Sequence, residues 1–335
     1  MKKLITICLT SVLFVTDYSI AGTWTTLDAP GAFDTYATSI DGKNIAGFYD
    51  DASGSHGFLY NGSSWTTVDP PGASWTEAFG ISGNNIVGYY GNASGDLHSF
   101  LYNGSIWTTI DFPGAAYTTY ALGIDGSNIV GYYGDTSGIY GFLYNGSTWT
   151  TLAMPGAFTT NAFGISGSNV VGCADGHGFL YNGSEWTSFD MPMAAYTTYA
   201  WGIDGSNIVG FYADASYKTH GFLYNGSTWT TLDMSGAYDT PTYGIDGSNI
   251  VGNYSDIYGV RHGFLYNGST WTTLDMPGAS HTSAFGIDGS NIVGWYNDAS
   301  GSHGFIYTIP EPATVLLLGL GALTISSRRR QNKKE

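Results

Sequence analysis

The sequence predicts an all-β protein: a seven-bladed β-propeller of four-stranded blades, closed by an N-terminal strand that completes the last blade. Three observations predict this fold, namely a repeat of about 42 residues, strand-like patterning within each repeat, and an incomplete repeat at each end of the body. The repeat is clearest in a Trp-Thr-(Thr/Ser) element that starts seven times, at Trp24, Trp65, Trp107, Trp149, Trp186, Trp229 and Trp271. A Phe-(Leu/Ile)-Tyr element also recurs seven times, so the chain carries seven copies of one structural unit.

Each repeat divides into four short strands separated by turn residues. In the third repeat we expect strands at 119–124, 128–133, 140–144 and 149–152, and the body shows no helical periodicity. The segments are rich in β-branched and aromatic residues, which favour strands. Asp-Gly and Asn-Gly pairs lie between them, and such pairs accept the positive φ angles of type I′ hairpin turns. Four antiparallel strands in a unit of this length are typical of a propeller blade.

The first strand of each repeat alternates small and large residues. In the third repeat, Ala121 and Gly123 are expected on one face of the strand, with Leu122 and Ile124 on the other. Small residues permit the innermost strands of a propeller to approach one another around the axis. We expect the large side chains of the opposite face to fill the wedge toward the neighbouring blade.

The two ends of the body discriminate between a closed ring and an open solenoid. The body begins with a lone fourth strand at 24–27 and ends with three strands, within 282–307, that lack a fourth. In a closed ring the first segment pairs with the last sheet and completes the seventh blade. In an open β-solenoid the half-repeat leaves unpaired edges, which promote aggregation, so we prefer the closed ring.

Residues 1–21 are expected to form a signal peptide that is removed after Ala21. Lys2 and Lys3 provide a basic start, 4–15 is apolar, and the segment ends in a small-x-small cleavage site. The alternative is an N-terminal membrane anchor, but the apolar run is too short to span a bilayer. The repeat body is therefore 22–309.

The C-terminal segment 310–335 consists of a Pro-Glu-Pro triplet, the apolar run 313–325 and a basic end, and its defining residues are Pro310, Glu311, Pro312, Arg328, Arg329 and Arg330. This tail resembles the PEP-CTERM sorting signal. The resemblance implies that the membrane holds the protein only transiently, through 313–325. An exosortase-type transpeptidase would then cleave near Pro-Glu-Pro and pass the protein to the cell surface or matrix. The alternative is a permanent C-terminal anchor, and in both cases the body is exported to the cell envelope, cell surface or extracellular space.

The repeats also resemble HAF-type extracellular repeats. The resemblance lies in Gly-Ile-(Asp/Ser)-Gly-x-Asn-(Ile/Val)-Val-Gly followed by His-Gly-Phe-Leu-Tyr, and it extends over all seven units. Gly follows the His in this chain where that family has Ala. The resemblance implies a secreted repeat protein and specifies no activity.

The charge of the body argues against two classes of partner. Residues 22–309 contain three basic and 23 acidic side chains, which gives a net charge of −20. Proteins that bind nucleic acids or anionic lipid surfaces depend on Lys and Arg for affinity, so we expect neither as a partner.

Cys173, the one cysteine of this body, is expected to be a small buried hydrophobic residue.

Two sets of repeated residues are candidate metal ligands, namely histidines and the aspartates of the loops. A histidine precedes the third strand in six repeats, at His56, His98, His177, His220, His262 and His303. A zinc ion needs its ligands about 2 Å away, whereas these histidines lie on six blades, so we expect each to cap a strand or to bond a neighbouring blade. The Asp-rich loops offer oxygen atoms to calcium, but ordinary Asx turns explain them better. No cofactor is therefore expected, with calcium as a weak alternative.

No catalytic residues are predicted. The chain lacks nucleophile-elbow, zinc-protease and phosphate-loop motifs, and Glu77 and Glu185 are the only glutamates of the body. Enzymes built on repeats usually need a cluster of acid, base and nucleophile that breaks the repeat. We therefore expect a non-catalytic protein.

A binding surface is predicted on the propeller face that carries the variable loops, which join the second to the third strand and one blade to the next. Aromatic residues there are expected to stack on sugar rings while carboxylates accept from sugar hydroxyls. The candidates are Trp75, Tyr117, Phe158, Tyr196, Tyr238 and His281, with Asp50, Asp135, Asp214 and Asp298. The alternative is that these aromatics only pack the loops. A structural or adhesive matrix component is the preferred function, a lectin-like polysaccharide binder comes second, and an extracellular hydrolase third.

Overall fold

The computed structural model describes residues 22–310. The predicted signal peptide up to Ala21 and the tail residues Glu311, Pro312, Arg328, Arg329 and Arg330 lie outside the described residues. Residues 23–308 form one unit of seven antiparallel sheets with four strands each. In the described part of the chain, no helix is long and apolar enough to cross a membrane.

The seven sheets are the blades, and their first strands surround a common axis, because residues from all seven line one axial channel. These innermost strands are Asp34–Asp41 (β2), Ala73–Ser82 (β6), Thr119–Asp125 (β10), Thr160–Ser166 (β14), Thr198–Asp204 (β18), Thr242–Asp246 (β22) and His281–Asp288 (β26). The second strands are Asn44–Asp51 (β3), Asn85–Asn92 (β7), Asn128–Gly134 (β11), Asn169–Ala174 (β15), Asn207–Ala213 (β19), Asn249–Ser255 (β23) and Asn291–Asn297 (β27).

The remaining two strands of each blade lie farther from the axis. The third strands are Gly54–Tyr60 (β4), Leu97–Tyr102 (β8), Ile139–Tyr144 (β12), His177–Tyr181 (β16), Thr219–Tyr224 (β20), Arg261–Tyr266 (β24) and Ser302–Thr308 (β28). The outermost strands are Trp65–Thr67 (β5), Trp107–Thr109 (β9), Trp149–Leu152 (β13), Trp186–Phe189 (β17), Trp229–Leu232 (β21), Trp271–Leu274 (β25) and Thr23–Leu27 (β1). Blade 1 contains β2 to β5, and blade 7 contains β26 to β28 together with β1.

The N-terminal strand closes the ring. Strand β1 pairs antiparallel with β28 from Thr23 opposite Thr308 to Leu27 opposite Gly304. The Trp24 ring contacts the rings of Phe305 and Tyr307, with centroids 5.0 and 4.8 Å apart. Contacts between β2 and β26 join the first blade to the last. The predicted closed seven-bladed propeller is therefore confirmed, and an open solenoid is excluded.

A ring of hydrogen bonds also joins the blades at the face of the Asp-Gly turns. At the closing interface the Gly42 N–H donates to Asp288 Oδ2 at 2.5 Å. The same bond, from a turn glycine to the residue that ends the preceding innermost strand, joins the other six interfaces: Gly83 to Asp41, Gly126 to Ser82, Gly167 to Asp125, Gly205 to Ser166, Gly247 to Asp204 and Gly289 to Asp246. All seven interfaces, including the one that closes the ring, thus share this hydrogen bond, with aspartate as the acceptor at five and serine at two.

These turns differ from the predicted type I′. Only the first central residue has a positive φ, as at Gly42 with a φ of 60°, whereas a type I′ turn also needs a positive φ at the next residue, Lys43. The pattern is that of a type II′ turn, in which glycine occupies the first central position.

Small residues of the innermost strands permit close approach, as predicted. A Cβ atom on Gly123 would lie 2.7 Å from the carbonyl oxygen of Phe163 in the next blade. The corresponding atom on Gly202 would lie 2.4 Å from the carbonyl oxygen of Tyr243. At the six glycine positions of this kind no side chain fits between the strands, and blade 1 has the small Ser39 at the equivalent place, so seven backbones lie close to the axis.

The prediction for the large residues of the innermost strands is wrong for Leu122, although Ile124 does pack against the core between blades 2 and 3. In blade 3, Ala121 pairs with Gly131 and Gly123 with Val130, so Leu122 lies in a β-bulge without a cross-strand partner. The same register shift occurs at this point in all seven blades. Because of the bulge, Leu122 lines the axial channel rather than the wedge between blades.

The wedges contain the core instead. Between blades 2 and 3, Val87 and Ile110 pack against Ala121, Ile129 and Phe142. The phenylalanine of the third strand is fully buried in every blade, at Phe58, Phe100, Phe142, Phe179, Phe222, Phe264 and Phe305. Burial of one such side chain contributes about 1.5–3 kcal/mol, so the blade interfaces stabilise the ring.

A buried threonine accepts a hydrogen bond from the connection between blades in five repeats, whereas the equivalent Thr76 and Thr198 have no partner for Oγ1 among the described residues. In blade 7, Thr282 Oγ1 accepts from the Met276 N–H at 3.2 Å. At the equivalent place in blade 2, Pro70 has no N–H to donate, and the buried Thr76 Oγ1 has no partner among the described residues.

Candidate functional site

The repeated histidines bond within their own sheets. In each of the six blades His Nδ1 lies 2.6–3.0 Å from an aspartate that follows the outermost strand, the partners being Asp69, Asp111, Asp190, Asp233, Asp275 and, for His303, Asp28 from the N-terminal strand. The third blade has Tyr140 in place of the histidine and Ala153 in place of the aspartate, so both partners change together. The expected bond to a neighbouring blade is therefore wrong. Residues 22–310 contain no group of three or more His, Cys, Asp or Glu that could hold a metal ion.

These pairs change the proton affinity of two histidines. Burial alone would lower the pKa of His303, but the Asp28 and Asp298 carboxylates raise it above its usual 6.5. His56 behaves in the same way, because Asp69 and Asp51 raise its pKa against the effect of burial. The aspartate–histidine pairs thus link the outermost strand to the loop between the second and third strands.

The Asp residues of these loops form Asx turns. Asp135 Oδ1 accepts from the Ser137 N–H at 2.6 Å, and Asp214 and Asp298 make the equivalent bond to residues two positions later. In blade 1 the turn residue is Asp51, which accepts from the Ser53 N–H at 2.7 Å. Asp50, the residue we predicted, lies one position earlier in β3 and accepts from the Ser55 hydroxyl.

Four of the predicted aromatics are exposed at equivalent positions, two residues before the buried threonine. Tyr117 is 69% exposed and Phe158 is 72% exposed, and Tyr196 and Tyr238 are also exposed. Phe33 holds the same position in blade 1, is 62% exposed, and was missed by sequence reasoning. We call Phe33, Tyr117, Phe158, Tyr196 and Tyr238 the loop-face aromatics.

Two other predicted aromatics are out of register with this set. Trp75 lies directly before its threonine, is half-buried, and makes an edge contact to Tyr89 at 5.9 Å between centroids. His281 has the same offset and accepts from the Arg261 N–H. Ser280 holds the equivalent place in blade 7. Tyr196 is extended by Tyr217, an exposed neighbour whose ring stacks on it at 4.2 Å.

A second site lies on the axis, and sequence reasoning missed it. The axial cavity has a volume of about 440 Å³ and is lined by residues of the innermost and second strands. Its walls are Tyr36, Thr38, Phe48, Phe79, Tyr89, Tyr120, Leu122, Tyr132, Phe163, Trp201, Phe285 and Trp295.

The rings of the axial cavity contact one another around the axis. Trp295 of blade 7 meets Tyr36 of blade 1 edge-on at 5.7 Å, and Phe163 of blade 4 stacks on Trp201 of blade 5 at 4.9 Å. Ring contacts also join blades 1 to 2 and 2 to 3, and Tyr243, which is not among the lining residues, joins blade 5 to 6 and blade 6 to 7. Between blades 3 and 4 the bulge residue is Leu122, which is not aromatic. The cavity therefore has a nearly continuous aromatic wall.

One carboxylate lies behind this wall. The Tyr89 hydroxyl donates to Glu77 Oε2 at 2.8 Å. Burial raises the pKa of Glu77, and burial together with the charge of Glu77 raises the pKa of Tyr89.

In blade 4, Cys173 is 3% exposed and burial raises its pKa to about 11, which supports the expected structural role of this thiol.

The comparisons with known proteins agree with this architecture. Residues 308–330 match the PEP-CTERM protein-sorting motif, which points to export and association with the cell envelope. The protein is thus a β-propeller that carries a PEP-CTERM sorting signal. Comparison with curated proteins gives no match.

Three solved structures show the same fold. The β-propeller domain of the Trilobed protease from Pyrococcus furiosus is 12% identical with a TM-score of 0.59, covering 84% of this chain and 97% of that one. The Pyrococcus horikoshii acylaminoacyl peptidase is 10% identical with a TM-score of 0.58, covering 85% and 54%. An oligogalacturonate lyase in complex with manganese is 13% identical with a TM-score of 0.57, covering 87% and 97%. At these identities the likeness shows the fold alone.

Proposed function

We propose that this protein is a non-catalytic, adhesive component of the cell surface or extracellular matrix that binds polysaccharide through the loop-face aromatics. The observation that carries the proposal is the exposure of these five rings, between 47% and 72%, at equivalent positions of one face. Contiguous exposed apolar surface marks binding sites, and the stacked, exposed rings of Tyr196 and Tyr217 form such a surface on this face. Because the blades are arranged around an axis, the rings form a set of similar platforms.

The chemistry of this face suits neutral sugars. The apolar C–H faces of a sugar stack on aromatic rings, and its hydroxyls donate to carboxylates. The Asx turn at Asp135 occupies Oδ1, so Oδ2 supports the proposal as an acceptor beside Tyr117. The net charge of −20 over the body opposes acidic polymers, which favours a neutral polysaccharide.

Repetition strengthens such weak contacts. A single sugar on one ring binds weakly, but a polymer that engages several platforms of one propeller gains avidity by effective concentration. An adhesive or structural role needs this kind of binding rather than one tight site. The resemblance to HAF-type extracellular repeats is in keeping with it.

Export and sorting are part of the same proposal. The sorting motif supports processing by an exosortase-type enzyme near Pro310, after which the propeller reaches the surface or matrix. The absence of catalysis is also proposed, and two features support it: Glu77 is held by Tyr89, and the Cys173 thiol is buried.

The proposal is tested with full-length protein on a panel of immobilised neutral and acidic polysaccharides. We expect binding to a neutral polymer and at least a fivefold loss of affinity in the double variant Tyr117→Ala/Phe158→Ala. Ile106→Ala is the matched control, because Ile106 is 61% exposed in the turn between β8 and β9 on the opposite face. Equal losses in both variants, or binding to acidic polymers alone, would contradict the proposal.

A further inference from the structure

The axial cavity plays no part in the proposed polysaccharide binding, yet it has the form of a ligand site. Ten of its twelve lining residues are aromatic, and none of the twelve is fully buried. Its volume of about 440 Å³ lies in the range of small-molecule pockets, which are concave and mostly apolar. The rings are held in place by contacts with their neighbours, so the cavity is formed before any ligand binds.

Three of the seven polar side chains of the wall, those of Tyr36, Thr38 and Tyr89, already make hydrogen bonds within the described residues. The Tyr36 hydroxyl donates to Ser302 Oγ at 3.1 Å, and the Tyr89 hydroxyl donates to Glu77 at 2.8 Å. A sugar in this cavity would lose hydrogen bonds to water and regain few, which costs free energy for each unpaired hydroxyl. The cavity therefore favours a ligand with an apolar body.

Charges around the cavity favour a cation. Glu77 lies behind Tyr89, and the carboxylates of Asp34 and Asp50 act on the Tyr36 hydroxyl. At the other end of the channel the wall carries five aspartates, Asp41, Asp125, Asp204, Asp246 and Asp288. The cavity lining contains no Lys or Arg, and Arg261 is a positive charge beside the wall, next to Trp295. A low-dielectric channel between carboxylates concentrates positive charge and repels anions.

One ring of the wall already faces a cation. The guanidinium carbon of Arg261 lies 6.0 Å from the centroid of the Trp295 ring. Aromatic faces attract cations in this way, and Trp does so most strongly. The interaction is strongest for cations that lose little hydration, whereas metal ions such as Ca²⁺ need several oxygen ligands that the wall does not provide.

We propose that the axial cavity is a binding site for an organic cation with an apolar, weakly hydrated head, of the quaternary ammonium class. The aromatic wall surrounds the head, and the neighbouring carboxylates balance its charge without a direct ion pair. This site is independent of the loop-face aromatics and of polysaccharide binding.

The first test compares two ligands of nearly equal shape on full-length protein by isothermal titration calorimetry. Choline carries the positive charge, and 3,3-dimethyl-1-butanol is its neutral counterpart. We expect choline to bind at least tenfold more tightly than the alcohol. Equal affinity of the two would show an apolar pocket without selectivity for cations, and no binding of choline at tens of millimolar would remove the site. Either result would overturn the proposal.

The second test locates the site. Trp201 lines the cavity, and Trp201→Leu should weaken choline binding at least tenfold. Trp229→Leu is the matched control, since Trp229 begins the outermost strand of the same blade, and its affinity for choline should be unchanged. The variant Tyr117→Ala/Phe158→Ala should also bind choline normally, which separates this proposal from the polysaccharide proposal. If the Trp201 variant kept full affinity, or the outer variant lost it, the axial assignment would be wrong.

Discussion

Truncation of Leu27 to alanine is the sharpest test of how the ring closes. Leu27 is the last residue of β1, is 3% exposed, and packs with Ala37, Ile45 and Phe58 of blade 1 and Val293 of blade 7. It therefore contributes to the interface between the first and last blades. Its contacts exist only if the N-terminal strand pairs with β28.

The size of the effect follows from this burial. Replacement of a fully buried leucine by alanine costs about 2–5 kcal/mol, from lost burial and from the cavity that remains. For a domain of this size each kcal/mol lowers the melting temperature by about 2–4 °C. We therefore expect Leu27→Ala to melt roughly 6–12 °C below the unaltered protein, if the cost is about 3 kcal/mol.

The matched control for this substitution is Leu232→Ala in the same protein. Leu232 ends the outermost strand of blade 5, is 2% exposed, and occupies the equivalent place between two blades that are joined by continuous chain. We expect Leu27→Ala and Leu232→Ala to lower the free energy of unfolding by amounts that agree within about 1 kcal/mol. Urea unfolding followed by tryptophan fluorescence measures both. Closure by β1 would be refuted if Leu27→Ala lowered the free energy of unfolding by less than about 0.5 kcal/mol while Leu232→Ala lowered it by several times that amount.

Three further predictions concern buried contacts and pH. Thr76→Val should leave the free energy of unfolding unchanged or raise it, because Thr76 Oγ1 accepts no hydrogen bond. Thr282→Val should lower it by about 1–3 kcal/mol, because valine cannot accept the hydrogen bond that the Met276 N–H donates to Thr282. Chemical denaturation measures both. Gly202→Ala should cost about 1–3 kcal/mol by the same assay, and an unchanged midpoint would contradict the close approach of the innermost strands. The raised pKa values of His56 and His303 stabilise the fold below pH 6.5, and this contribution is lost as the pH rises through the raised values. The urea midpoint should therefore fall less between pH 5.5 and 8 in His56→Gln/His303→Gln than in the unaltered protein.

The strands and the blade count could be predicted from the sequence because the signals for them are local. Strand propensity and glycine-rich turns act within one repeat, and seven copies make the pattern unmistakable. Even the closure could be predicted, since a lone strand at 24–27 and a three-stranded last sheet each leave hydrogen-bonding groups unpaired until they meet.

Register within the loops was harder to predict. A shift of one residue separates Asp50 from Asp51 and Trp75 from the position of the loop-face aromatics, and it changes which side chain is exposed. Phe33 was missed for the same reason, because its position becomes clear only when it is aligned on the buried Thr35.

The sequence by itself determined the repeat, the blades, the acidity and the sorting tail of this protein. The tertiary structure decided where the large residues of the innermost strands lie. Alternation predicts that Leu122 faces the wedge, but a bulge at that residue interrupts the period of two and directs it and its equivalents, such as Phe79 and Trp201, to the axis. The bulge lies where the seven innermost strands are constrained to pack closely around one axis, with glycine beside the neighbouring backbone in six blades and Ser39 in blade 1. That constraint arises between blades and therefore has no counterpart in any single repeat.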